Sequence, residues 1–179
     1  IAIAFLSFMF LYCEVNYAQS NVNAKQVLTE RQRAITLISA FTAKGDMQKL
    51  QQALNTGLDV RLTVNECKEV LVHLYAYCGF PRSIMGLNAL IATLEERKAK
   101  GINDIIGREA TPIPNDTNKY ETGRKNLEKL SGRPTTKPTS GYGAFSPEID
   151  KFLKEHLFAD IFSRDVLNYA DRELTTVTA

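Results

Sequence analysis

The sequence has no tryptophan, two histidines and three cysteines in 179 residues. With Trp absent and Tyr and Phe scattered, no platform of aromatics for stacking bases is visible. His73 and His156 stand far apart with no ligand spacing around them, so no metal site is read. No Gly-rich phosphate loop is present either, and no cofactor is expected. Charge of a single sign is missing too. The 22 basic and 20 acidic residues leave a net +2, and they are interspersed without a basic stripe, which gives nucleic-acid binding no support. Two or three cysteines do not make a disulfide framework. Hydrophobic residues, by contrast, reach 44%, enough to bury a core in one or two small domains.

The first twenty residues differ from the rest. Ile1 to Cys13 is almost wholly apolar, and Tyr17-Ala18-Gln19-Ser20 follows with small residues. This pattern fits the apolar region and cleavage site of a signal peptide over 1–20. The run is shorter than the roughly 20 apolar residues of a transmembrane span; a buried or membrane-anchoring helix is the alternative. The expected location is exported, periplasmic or extracellular, with no stable membrane span after signal removal. The chain lacks an initiator Met and a basic leader, so it reads as beginning inside an open reading frame. Cys13 follows Leu11-Tyr12, a poor lipoprotein context, and cleavage after Ala18 or Ser20 leaves Cys67 and Cys78.

Further along, the spacing predicts an all-α protein. Thr29 with Gln32, and Thr63 with Glu66, have the form of capping boxes ahead of apolar periodic runs. Gly45-Asp46 ends one helix and starts another over 47–54, with Asn55-Thr56-Gly57 as its stop. Gly79 and Pro81 terminate the long apolar helix that begins at Thr63, and 83–100 is a further helix. Residues 102–118 form a linker, 119–130 a helix, and the Pro-, Thr- and Gly-rich stretch 132–143 a loop. Ser146-Pro147 starts another helix, and one more begins near Tyr169. An internal repeat is visible: Leu28–Ala40 aligns with Leu167–Ala179, with Leu28/Leu167, Arg33/Arg172, Thr36/Thr175 and Ala40/Ala179 identical. The chain therefore divides into a first repeat over 21–101 and the opening of a second over 119–179.

At about 100° per residue, Glu69, Val70, His73 and Tyr77 fall within roughly 60° of Glu66, forming a polar stripe. Cys67, Leu71, Leu74 and Cys78 occupy a neighbouring apolar face. A carboxylate, an imidazole and a phenol on one stripe make a proton-transfer set. Each also has a plainer use: Glu66 as a capping carboxylate, Glu69 and His73 as a surface pair, Tyr77 in packing. Arg82, at a helix start, can bind an anionic substrate or stay solvated. Cys67 and Cys78 lie about 16 Å apart along one helix at about 1.5 Å per residue, whereas a disulfide needs Cα atoms within about 7 Å.

The segment from Gln51 to Leu90 resembles the core of the carboxymuconolactone decarboxylase family. The resemblance is carried by Ala53-Leu54, Gly57, Leu62-Thr63, Glu66, Glu69, His73, Tyr77, Gly79-Phe80-Pro81 and Ala89-Leu90. A second stretch runs from Phe145-Ser146-Pro147-Glu148 through Phe158 to Arg164, then Arg172-Glu173-Leu174. The resemblance implies an alkylhydroperoxidase D-like orthogonal helical bundle, in tandem repeat with the second copy incomplete. It also implies homo-oligomers, trimers or hexamers, acting on a small-molecule substrate. For function it implies decarboxylation or related acid/base processing of a small carboxylated, lactone-like metabolite. Glu66 and His73 would be catalytic, and Tyr77 and Arg82 would contact substrate. The peroxide-reducing (peroxiredoxin-type) branch uses a Glu, a Cys-x-x-Cys pair and a His. Glu66 and Cys78 match the first two positions, but Pro81 stands at the second cysteine and Met85 at the histidine. A redox role for Cys78 therefore lacks a local partner thiol, and a peroxide-detoxifying alternative would need its cysteine pair elsewhere. The third alternative is a non-enzymatic helical binding or assembly module.

Overall fold

A computed structural model describes residues 28–114 and 118–179, and every regular element among them is helical. The reading of 1–20 as a signal peptide, Cys13 included, lies outside the described residues.

Helix α1 (Glu30–Lys44) opens with the Thr29/Gln32 capping box and closes on Gly45, whose φ of 78° suits a residue without Cβ. Asp46 then caps α2 (Met47–Asp59) by accepting a bond from the Lys49 N–H. The expected stop at Asn55-Thr56-Gly57 is not one, because the helix continues to Asp59. Gly57 is instead a packing residue: a Cβ there would stand 3.0 Å from the Leu62 side chain and 3.3 Å from that of Ile38. Close approach of α2 to α1 offsets the ~1 kcal/mol that glycine gives up to alanine within a helix.

Helix α3 (Val64–Ala99) starts with the Thr63/Glu66 capping box. It breaks where Gly79 and Pro81 predicted, since Gly79 has φ 81° and ψ 162°. Its first half buries Cys67, Val70, Leu71 and Leu74 against Ile35 and Ile38 of α1 and Leu50 and Leu54 of α2. The Ser83 hydroxyl donates to the Leu71 carbonyl at 2.8 Å, tying the two halves across the break.

The linker has no regular structure over 102–114, as expected. It does have a structural role. Ile105 and Ile106 carbonyls accept the Val64 and Asn65 N–H groups at 2.9 Å, and the Gly107 carbonyl accepts from the Asn65 side chain. Those N–H groups belong to the first turn of α3, which has no intrahelical acceptors.

The remaining helices are α4 (Lys119–Ser131), α5 (Gly141–Phe145), α6 (Pro147–Phe152), α7 (Leu153–Ile161) and α8 (Tyr169–Val177). Short α5 begins at the end of the stretch read as a loop and runs two residues beyond it. Helix α7 continues α6 with π-helical bonding, a wider turn than a 3.6-residue period describes. It packs along α4, where Gly123 allows contact with the backbone: a Cβ there would come within 1.8 Å of the Lys154 carbonyl oxygen. Helix α8 packs on α1 and α3, and Leu167 just before it joins their core. The aligned residues Thr29 and Asn168 are both N-caps with side-chain bonds to the third helical N–H. Among the described residues, no helix is long and apolar enough to cross a membrane.

Gly123→Ala should destabilise the fold by about 3 kcal/mol, because backbone rather than a side-chain tip must yield. A urea unfolding midpoint equal to that of the wild type would contradict this account of the α4–α7 contact.

Candidate functional site

The polar stripe of α3 faces α8, and the two helices share a network of charged groups. Glu69 is 1% exposed and lies between two arginines. Arg164 Nε donates to both its oxygens, at 2.8 and 3.0 Å, and Arg172 Nη2 donates to Oε2 at 3.0 Å. The other arm of Arg172, Nη1, reaches His73 Nδ1 at 3.2 Å. A guanidinium only donates, so Nδ1 is the acceptor and the imidazole proton sits on Nε2. That nitrogen is 3.0 Å from the Thr176 hydroxyl, which in turn donates to the Arg172 carbonyl. Tyr77 lies near the same threonine, which partly offsets the upward push of burial on its phenol. His73 also packs between the rings of Tyr77 and Phe162, each with its centroid 5.2 Å away.

A second row lies one turn nearer the helix start. One Glu66 oxygen takes the Thr63 N–H of the capping box, and the other takes Arg31 Nη2 at 2.7 Å. Arg31 Nη1 reaches Asp171 at 2.7 Å. Three carboxylates and three guanidiniums therefore balance across the α1–α3–α8 junction, which stabilises charges that would otherwise be costly to bury.

The surroundings set the protonation states. Burial, reinforced by the Arg172 charge, pushes His73 down to about 3, so the imidazole is neutral at ordinary pH. Burial would raise the Glu66 carboxyl. The Thr63 N–H and hydroxyl together with Arg31 outweigh it and hold that group below its ordinary value. Burial raises the Tyr77 phenol and the Glu173 carboxyl.

Of the residues singled out from the sequence, Glu66, His73 and Tyr77 are brought together, with Glu69 between them. Arg82 belongs to a different contact. Its guanidinium lies against Gly45, where a Cβ would meet Nη1 at 1.4 Å. It thus sits at the carbonyl end of α1, where a cation is favourable, although it starts its own helical segment. Cys78 donates its thiol proton to the Leu74 carbonyl, and burial pushes that thiol up. Cys67 is buried and pushed up to about 12. Both cysteines are free thiols, with neither environment favouring the reactive thiolate. No group of three or more His, Cys, Asp or Glu side chains among the described residues could hold a metal ion.

Sequence reasoning did not assign roles to Arg31, Arg164 or Thr176. Arg172 appeared as a repeat match to Arg33 and in the second stretch of the resemblance, without a role, though an arginine on the buried face of an amphipathic helix signals a carboxylate partner. Beside this network lies a cavity of about 530 Å³, between the Asn126–Lys129 edge of α4 and the turn from Phe162 to Tyr169. Arg164 belongs to both the cavity wall and the ion network. No protein-family profile matches the chain, and no curated protein matches it.

Two outcomes test the network. Glu69→Gln should destabilise the protein by about 3–5 kcal/mol, since it removes the carboxylate from a fully buried arginine; chemical denaturation measures this. His73 takes up its proton near pH 6.5 when unfolded but only near 3 when folded. Its contribution to stability is therefore complete above 6.5 and is lost progressively as pH falls from 6.5 towards 3. Unfolding free energies across that window should fall for the wild type and flatten in His73→Leu.

Proposed function

We propose that this chain is a carboxymuconolactone decarboxylase-like protein that processes a small carboxylated, lactone-like metabolite by acid/base chemistry. The supporting observation is the convergence of Glu66, Glu69, His73 and Tyr77 with Arg31, Arg164 and Arg172 in two adjoining rows at the α1–α3–α8 junction. Arginines supply what a carboxylated substrate requires, a planar pair of donors for each carboxylate. Arg31 and Arg164 remain a third exposed along their side chains. Tyr77, 38% exposed, gives the network a phenol accessible to solvent. In this reading Tyr77 delivers the proton to the carbon that loses CO2, its ring packed against that of His73. His73, itself sealed, is a positioning residue that holds Thr176 through its Nε2 proton. The alkylhydroperoxidase D-like bundle and assembly as trimers or hexamers belong to the same proposal.

A second reading, a non-enzymatic binding module of the same architecture, is favoured by a specific observation. His73 is fully buried and neutral, and Glu66 and Glu69 are both engaged by arginines. These are properties of a helix clamp.

Carbon dioxide release from γ-lactone acids separates the two. Turnover is expected from the full chain, and Tyr77→Phe should lower kcat by about a hundredfold, the scale of a lost general acid, with the thermal melt unchanged. A folded protein that binds lactone acids and releases no CO2 would leave the binding module in place of the enzyme.

A further inference from the structure

The cavity beside Arg164 has an unusual imbalance of hydrogen-bonding groups. The amide and carboxylate acceptors of its wall side chains are engaged. Asn126 Oδ1 takes the Tyr169 hydroxyl at 3.1 Å, and Asn168 Oδ1 takes the Asp171 N–H at 2.9 Å. The Asp165 carboxylate receives the Thr111 N–H at 2.9 Å and hydroxyl at 2.8 Å, and pairs with Arg108 at 2.9 Å. These bonds hold that carboxyl well below its ordinary range. Two backbone oxygens of the turn are occupied as well, the Arg164 carbonyl by Arg172 and the Asp165 carbonyl by Arg108.

Donors are left over. The Lys129 ammonium, on an exposed stretch of α4, lies 5.1 Å from the Tyr169 ring centroid, with no carboxylate within salt-bridge distance among the described residues. Ser163 Oγ accepts from Asn126 and keeps its own proton. Arg164 uses Nε and Nη2 on Glu69, leaving Nη1. The rest of the wall is apolar and partly aromatic: the Phe162 and Tyr169 rings meet edge-on with centroids 6.0 Å apart, beside Leu167. Spare donors, two cations and an aromatic face under one of them recognise an anion attached to a flat apolar body.

We propose that this cavity binds a small aromatic-ring carboxylate. Lys129, Ser163 and Arg164 take the carboxylate, and the ring lies on Tyr169, which is backed by the buried Phe162 and Leu167. The proposal rests on the small-carboxylate part of the reading above and is independent of turnover. It places the ligand beside the α4–α8 junction and away from Tyr77.

Calorimetric titration of the full chain with benzoate, acetate and inorganic phosphate tests it. Benzoate should bind saturably with about millimolar affinity or better. Acetate, lacking the ring, and the Lys129→Met variant, lacking the charge, should each bind about tenfold more weakly. Ser163→Ala provides a second variant, expected to weaken benzoate while the melt stays that of the wild type. Absence of saturable benzoate binding, or wild-type affinity in Lys129→Met, overturns the site. Phosphate binding as tightly as benzoate overturns the assignment of a ring. Lactone-acid turnover that persists in Lys129→Met alongside absent benzoate binding would sink this site and leave the enzyme reading standing. Benzoate binding without any turnover would do the reverse.

Discussion

The carboxylate of Glu69, held in the interior between two guanidiniums, is the interaction on which the arrangement of the second segment depends. Helix α8 has modest apolar credentials: its buried residues are Asp171, Arg172 and Thr175. Hydrophobic burial alone does not fix how such a helix sits, because burial is indifferent to register. Charges are not. A slip of α8 by one residue along α3 would separate Arg172 from Glu69 and Asp171 from Arg31 together, leaving buried ions without partners. Buried ion pairs add little net stability over well-packed apolar residues, but breaking one is expensive. That asymmetry gives α8 a single docking position.

The same asymmetry explains the state of His73. It sits beside an arginine already committed to Glu69, in a cluster whose formal charges balance. A further proton would add an uncompensated charge in a place water does not reach. Neutral imidazole with a defined tautomer is the form that satisfies both neighbours, Arg172 as donor and Thr176 as acceptor. The histidine contributes orientation here, and the phenol of Tyr77 is the group that solvent can meet.

Much of the architecture was legible because it rests on local chemistry. Capping boxes at Thr29 and Thr63, the glycine end of α1 and the break at Gly79 follow from neighbours within a few residues. Gly57 misled for the opposite reason: its use is tertiary, in the approach of α2 to Leu62 and Ile38, and nothing nearby in the chain distinguishes it from a stop. The π-helical stretch over Leu153–Ile161 is likewise supported from outside, by Gly123 and by Asn126, which donates to the Phe158 carbonyl at 2.7 Å. In the candidate site, the α3 stripe was visible as a periodicity. Its partners were not, since Arg31, Arg164 and Thr176 come from distant parts of the chain and carry no spacing signal relative to Glu66 or Glu69.

The linker that crosses the start of α3 changes what that helix end can do. A free helix N-terminus is a place where anions gather, because its first N–H groups and the helix dipole both favour negative charge. Here the Ile105 and Ile106 carbonyls take up the Val64 and Asn65 N–H groups, and the Glu66 carboxylate takes the Thr63 N–H. Helix α3 thus carries its own surrogate anion, drawn from the segment that follows it. Amide hydrogens at Val64 and Asn65 would exchange with solvent only when the linker lifts, so the opening of a loop is recorded in the first turn of α3.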